Sequence, residues 1–295
     1  MSGWAAKLGR GRWAGAVLGI MAAACSPLRT FDAVVPKDGG VSLVTRDAAF
    51  GLDPRQRLDV YAPTDGPNDG RAVHPVIVFF YGGSWNSGTK AGYSFVGRAL
   101  AARGFVVAVP DYRLVPQVRF PAFLEDNAAA VRWVRRHVAR LGGDPDRLVL
   151  AGHSAGAYDA AMLALDPRWL GADRAAVRGW VGLAGPYDFL PLDQPVTQAA
   201  FGAAADPRQT QPIAYAGAGD PPTFLATGDD DTLVLPRNSD ALAARLTAAG
   251  VPVERRRYAG IGHVGLVTAI ARPFRRRAPV LDDVVAFARR VTAER

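Results

Sequence analysis

Continuous apolar runs alternate with amphipathic stretches along most of the chain. PVIVFF (residues 75–80) and FVVAV (105–109) carry no polar residue at either phase, as expected for strands buried on both faces of a parallel sheet. Between them, residues 91–103 predict a helix closed by Gly104. From 121 to 141, Leu124, Ala128, Val131, Val134 and Val138 recur at helical spacing with arginines opposite, predicting a long helix with one apolar face. Gly142-Gly143-Asp144-Pro145 then ends it. LVLA (148–151) predicts another strand, with a helix from Ala155 onward. Residues 57–61, 180–183, 223–226 and 251–258 predict further strands, and 238–249 and 281–291 further helices. Such alternation predicts an α/β fold, with 46–295 as one domain around a mostly parallel sheet covered on both faces. Residues 186–222 break the rhythm and predict an inserted loop or small cap over one end of the sheet. Residues 25–45 show no clear periodicity and are read as a tether.

The first 25 residues have a different character. Lys7, Arg10 and Arg12 precede an apolar stretch at 13–24, and small residues lead to Cys25, the three-part pattern of a secretory signal peptide. The apolar run is about a dozen residues, short of the ~20 that a spanning helix needs. Cys25 is the only cysteine, so no intramolecular disulfide can form. Its surroundings resemble a bacterial lipobox at Ala23 and Ala24, departing at Ala22, where leucine is usual. The expectation is a signal peptide over 1–24 with lipidation at Cys25, giving a membrane-anchored protein of the cell envelope. The competing reading is plain cleavage after Ala24 and a secreted or periplasmic protein.

Composition adds little. With 49% hydrophobic and 21% charged residues, the 295-residue chain is of ordinary globular type. Its net charge of +8 is almost all arginine, and three of the positive charges lie in the targeting segment. The remainder are scattered, with short clusters at 255–257 and 275–277. No basic face interleaved with aromatics points to nucleic acid, so the arginines are read as solvated surface.

Gly152-His153-Ser154-Ala155-Gly156 carries the candidate chemistry. G-x-S-x-G is a short motif, but here it follows an apolar strand and opens a helix, which is the setting of a nucleophile elbow. Very small residues at Gly152 and Gly156 would let strand and helix approach, lifting the Ser154 hydroxyl clear of the sheet. A serine needs a base, and the base an orienting carboxylate. Of the four histidines, His153 adjoins the serine without facing it, His137 lies on the arginine-rich helix and His74 precedes a strand. His263, in the glycine-flanked loop after the last strand, is the candidate base. Three adjacent carboxylates, Asp229, Asp230 and Asp231, follow a strand between Ser154 and His263. Asp231 is preferred because Gly228 to Val234 reads G-x-x-D-x-x-V, and Asp188 is the outside candidate. Backbone donors for an oxyanion are expected from Ala155, at the start of a helix, and from the Tyr81-Gly82-Gly83-Ser84-Trp85 loop.

These segments together resemble the α/β-hydrolase superfamily. The likeness lies in its esterase branch, near the feruloyl-esterase-like, hormone-sensitive-lipase-like and kynurenine-formamidase-like enzymes. It is carried by YGGSW, DYRLVPQVRFPAFLEDNAAAVRWV, GGDPDRLVLAGHSAGA, GLAGPYDF, GDDDTLV and GIGH, and covers the chain from about Arg57 onward. It implies the α/β-hydrolase fold, with Ser154 as nucleophile, Asp231 as acid and His263 as base. It also implies Gly83, Ser84 and Ala155 as oxyanion donors, with Gly82 shaping the turn. Tyr81 departs from the usual histidine of that loop, and altered loop packing is expected there. The function so implied is hydrolysis of small acyl or aryl esters, with no metal or cofactor. The alternatives are an amidase or arylformamidase using the same residues, or a non-catalytic envelope lipoprotein on a hydrolase scaffold. Trp85, Tyr93, Tyr187 and Phe189 are candidate pocket aromatics.

Overall fold

The apolar runs become the centre of one eight-stranded sheet. The computed structural model describes residues 27–64 and 74–293; the expected signal peptide and Cys25 lie outside the described residues. The strands are β1 (Val41–Ala49), β2 (Arg57–Pro63), β3 (His74–Phe80), β4 (Val106–Asp111), β5 (Gly143–His153), β6 (Val177–Leu183), β7 (Thr223–Gly228) and β8 (Val253–Tyr258). Their spatial order is β1-β2-β4-β3-β5-β6-β7-β8. The β1–β2 and β2–β4 pairs are antiparallel, and every pair from β4–β3 to β7–β8 is parallel.

The helices are α1 (Pro27–Val34), α2 (Ser94–Ala101), α3 (Ala122–His137), α4 (Ala155–Leu165), α5 (Pro167–Leu170), α6 (Pro195–Phe201), α7 (Arg237–Ala248), α8 (His263–Thr268) and α9 (Val280–Thr292). They divide the core into two layers. Ile77 and Phe79 of β3 pack with α2 and α9 on one face, while Val76, Val78 and Phe80 pack with α3 and α4 on the other. The two-residue period of the strand thus sorts a uniformly apolar run between two cores. Each such side chain contributes roughly 1.5–3 kcal/mol by leaving water. β8, at the sheet edge, carries the arginine cluster 255–257. Arg255 and Arg257 pair with Asp240 and Asp229, and a charged edge resists pairing with a second sheet.

The tether expected at 25–45 is not what the structure contains over its described residues. α1 is docked by Phe31 against Phe95 (5.3 Å) and Phe274 (5.7 Å). Asp32 is buried and accepts hydrogen bonds from the Phe95 amide and the Ser94 hydroxyl, both at 2.7 Å, serving the start of α2. β1 then pairs with β2 through two register irregularities and is half exposed along its length. Its first six residues alternate between half-buried and exposed before the phase slips at Asp47, and the partners of α1 lie far away in sequence. The glycine turn expected at 142–145 is also shorter: Gly142, at φ 85°, ends the preceding turn, and Gly143 already belongs to β5.

Replacing Asp32 by alanine should lower stability by about 1–3 kcal/mol, since it strands a buried donor as well as removing a partner. Urea unfolding checks this: the midpoint should fall at unchanged slope, whereas a solvated tether would show no shift.

Candidate active site

β5 ends at His153 and α4 begins at Ala155, leaving Ser154 to make the whole turn at φ 55°, ψ −121°. This is a costly conformation for a non-glycine residue, on the order of 1–3 kcal/mol. Neighbours hold it there. The Ser154 amide donates to the Leu183 carbonyl (2.8 Å), and its own carbonyl accepts from the amides of Ala157 and Tyr158 (2.9 and 3.1 Å). The turn closes only because side chains are missing around it. A Cβ on Gly152 would lie 2.1 Å from the Gly156 carbonyl oxygen, and one on Gly156 would lie 2.1 Å from that of Phe80.

Into this turn comes His263, the first residue of α8. The Ser154 hydroxyl donates to its Nε2 at 2.9 Å, and its Nδ1–H donates to Asp231 Oδ2 at 2.8 Å. The other Asp231 oxygen accepts the amides of Leu233 and Val234 at 3.0 and 2.9 Å. The loops that carry Asp231 and His263 are stitched together by Asp230 N–H to Ile261 O (3.0 Å). That closeness needs Gly228, where a Cβ would lie 1.8 Å from the Ile261 oxygen. Burial pushes the Asp231 carboxyl up, but the hydrogen bonds from His263 and the two amides outweigh it and hold it below the usual range.

The other candidates go elsewhere. Asp229 pairs with Arg257, Asp230 is exposed, and Asp188 is exposed with no bond to His263. His74 contacts the Gly104 carbonyl (3.1 Å), and His137 stacks on Trp133 (4.3 Å).

The loop after β3 lies against the elbow. A Cβ on Gly82 would lie 2.9 Å from that of Ser154. Gly83, Ser84 and Trp85 all have positive φ, at 142°, 51° and 58°. Among the described residues, no hydrogen bond within the protein engages the amides of Gly83, Ser84 or Ala155, whereas the Gly82 amide is taken by Tyr93 Oη (3.1 Å). Tyr81 stacks on Tyr112 (4.7 Å), and its hydroxyl accepts from Arg55 (2.8 Å), which also donates to the carbonyls of Gly88 and Tyr112. Arg55 thereby cross-links the loop from a distant turn, a role with no signal in the sequence.

Two buried titratable groups also went unsignalled. His153 is kept neutral, its pKa lowered to about 3 first by burial and then by the neighbouring His263. Asp159, one turn into α4, accepts from Trp85 Nε1 (3.3 Å) and Asn127 (3.0 Å). Burial outweighs both bonds and drives its carboxyl well above the usual carboxylate range.

Ser154 opens into a cleft of about 470 Å³ lined by Ser84, Trp85, Ala155, Phe189, Val196 and Leu233, among others. Most of one side comes from residues 186–197, in the irregular excursion between β6 and β7. Trp85 forms the apolar floor, edge-on to Phe201 (4.7 Å) and Tyr158 (5.2 Å). Of the four aromatics expected at a pocket, Trp85 and Phe189 reach this cleft. Tyr93 and Tyr187 are wholly buried instead, Tyr187 against Trp180. A larger recess of about 940 Å³ elsewhere borders none of the relay residues, and among its charges Arg147 pairs with Asp144 and Arg290 with Glu254. Among the described residues no cluster of three or more histidine, cysteine or acidic side chains is arranged to hold a metal ion.

Residues 58–246 match the family model described as BD-FAE, and the chain belongs to that family. It is 36% identical over 159 residues to a probable isoprenylcysteine alpha-carbonyl methylesterase of Oryza sativa subsp. japonica, a match covering 51% of this chain and 36% of that protein. It is 35% identical over 204 residues to a carboxylesterase of Mycobacterium tuberculosis, covering 61% of this chain and 63% of the other. The matches thus span about a third of the plant relative's length and under two thirds of the bacterial one's. Among solved structures, the thermostable carboxylesterase EstE1 from a metagenomic library superposes with a TM-score of 0.76 at 22% identity, over 90% of this chain and 94% of its own. Thermogutta terrifontis esterase 2 gives 0.70 at 23%, over 88% and 98%. The fold is that of the α/β hydrolases.

Because His153 is neutral in the fold down to about pH 3 but takes a proton near 6.5 when unfolded, the unfolded state binds more protons between those values. Its contribution to stability is therefore lost as pH falls below 6.5, by about 2 kcal/mol at pH 5 relative to pH 7.5. Urea titrations at the two pH values should show a smaller acid loss for His153→Gln than for the parent. An equal loss in both would place the sensitivity elsewhere.

Proposed function

We propose that the protein is a serine carboxylic-ester hydrolase acting on small acyl or aryl esters. The observation that carries this reading is the unbroken hydrogen-bond relay from Asp231 through His263 to a conformationally strained Ser154, opening into an apolar cleft. Ser154 Oγ attacks the ester carbonyl as His263 Nε2 takes its proton. The carbonyl oxygen becomes an oxyanion, for which the unengaged amides of Gly83, Ser84 and Ala155 are the available donors. The tetrahedral intermediate collapses, expelling the alkoxide, which His263 protonates. Water, deprotonated by the same histidine, then releases the carboxylic acid and restores Ser154. Asp231 remains ionised throughout, holding the imidazole with Nε2 free to accept and offsetting its positive charge in the intermediate. The names of the carboxylesterase and methylesterase relatives agree with ester chemistry. The partner is accordingly a small ester whose acyl or aryl group meets Trp85 and Phe189.

Initial rates with p-nitrophenyl acetate and butyrate test the reading. The parent should turn over both esters, and Ser154→Ala should abolish the activity. Asp231→Asn should keep the fold but lower kcat on the order of 10⁴-fold, because the imidazole loses its correct tautomer. Undiminished hydrolysis in Ser154→Ala would sink the proposal.

Lipid anchoring at Cys25 completes the reading. α1 begins at Pro27 and is docked on the body, so a lipid on Cys25 would hold the catalytic domain close to a membrane surface of the cell envelope. Full-length protein expressed in a bacterial host should incorporate labelled palmitate, and Cys25→Ser should not. Label-free parent protein released in soluble form would instead mean plain secretion.

A further inference from the structure

We propose that Tyr93 and His153 form a hydrogen-bonded strut that sets the oxyanion loop and the His263 backbone at a fixed separation, making both positioning residues for the reaction at Ser154. This rests on the hydrolase reading above. The chain of contacts runs from Gly82 N–H to Tyr93 Oη (3.1 Å), from Tyr93 Oη to His153 Nδ1 (3.0 Å) and from His153 Nε2 to the His263 carbonyl (3.2 Å). Its ends fix every proton. A backbone amide only donates, so Tyr93 accepts from Gly82 and spends its own hydrogen on His153. A carbonyl only accepts, so His153 carries its proton on Nε2 and leaves Nδ1 free for Tyr93. One neutral tautomer satisfies all three bonds.

The surroundings suit this assignment. His153 and Tyr93 are both fully buried. Burial lowers the imidazole and raises the phenol, so near neutral pH the ring stays neutral and the hydroxyl keeps its hydrogen. The strut touches both halves of the machinery. Gly82 leads into the loop whose unengaged Gly83 and Ser84 amides are the proposed oxyanion donors, and the His263 carbonyl belongs to the proposed base itself. The far end is also secured. Lys90, three residues before Tyr93, donates through its ammonium to Asp47 and Asp59, each at 2.7 Å, and through its amide to Asp111 (2.7 Å). The backbone of α1 at Leu28 and Arg29 lies over Gly92. Displacing donors or base by a fraction of an ångström is enough to lower a rate without weakening substrate binding.

Tyr93→Phe keeps the ring and deletes only the hydroxyl. With p-nitrophenyl butyrate it should lower kcat about tenfold with KM within about twofold, the signature of an interaction that counts in the transition state. His153→Leu should fall at least as far, and adding Tyr93→Phe to it should cost no more than a further twofold, because the strut is already cut. Unchanged kcat in Tyr93→Phe, a change confined to KM, or additive losses in the double variant would each overturn the proposal. Long-range ¹H–¹⁵N spectra of the full chain provide a readout independent of turnover, with the His153 ring expected to be protonated at Nε2 at pH 7. A proton on Nδ1 would overturn the strut even if the parent hydrolysed no ester. A parent inactive on every ester but carrying the Nε2 proton would defeat the hydrolase reading while upholding the strut.

Discussion

The structure turns on how closely backbone can approach backbone at the end of β5. Three chain segments, from β3, the elbow and α4, meet where Gly152, Gly156 and Gly82 have no Cβ. A methyl group at Gly152 or Gly156 would lie about 2 Å from a carbonyl oxygen, far inside van der Waals contact. The cost is a serine forced to φ 55°; the return is a hydroxyl lifted off the sheet toward His263. The parallel sheet serves this arrangement by making β3 and β5 neighbours, so the loop after one strand lies beside the elbow after the next.

Around that point the charges are arranged sparingly. Of the titratable groups closest to Ser154, Asp231 is the one held ionised against burial, by two amides and the His263 ring it orients. His153 is equally buried and is kept neutral by burial, which likewise shifts Asp159 toward its uncharged form. A neutral group in a low-dielectric site can hold geometry through hydrogen bonds without perturbing the charge that develops during reaction.

The N-terminal region belongs to this machinery and not to a spacer. α1 is held by ring contacts and by Asp32 capping α2, and it covers the short turn that carries Tyr93. Lys90 in that turn bridges Asp47 of the first strand to Asp59 of the second. The segment nearest the expected anchor is thereby continuous, contact by contact, with the segment nearest Ser154.

The strands and main helices were legible because burial on both faces writes an apolar run, and one-sided burial writes a 3.6-residue period. The elbow was legible because its steric demand restricts the residue types at consecutive positions, and with only four histidines the candidates for a base were few. Asp231, among three adjacent aspartates, rested on motif spacing; in the fold it alone of the three is buried against the histidine. What the sequence left open depends on contacts between distant segments. α1 is amphipathic over only eight residues and β1 is half exposed along its length, so what fixes them in place, Phe95, Phe274 and β2, is not written in their own positions. Arg55 behind Tyr81, Asp159 beneath Trp85 and the Tyr93–His153 pair are ordinary residues until the sheet brings them together. The sequence by itself determined the fold class and the residue types able to do the chemistry, since local sterics and periodic burial are properties of neighbouring positions. Only the tertiary structure decided which side chains hold those residues in place, since burial and hydrogen-bond partners across 26 to 110 positions come into being when the chain closes on itself.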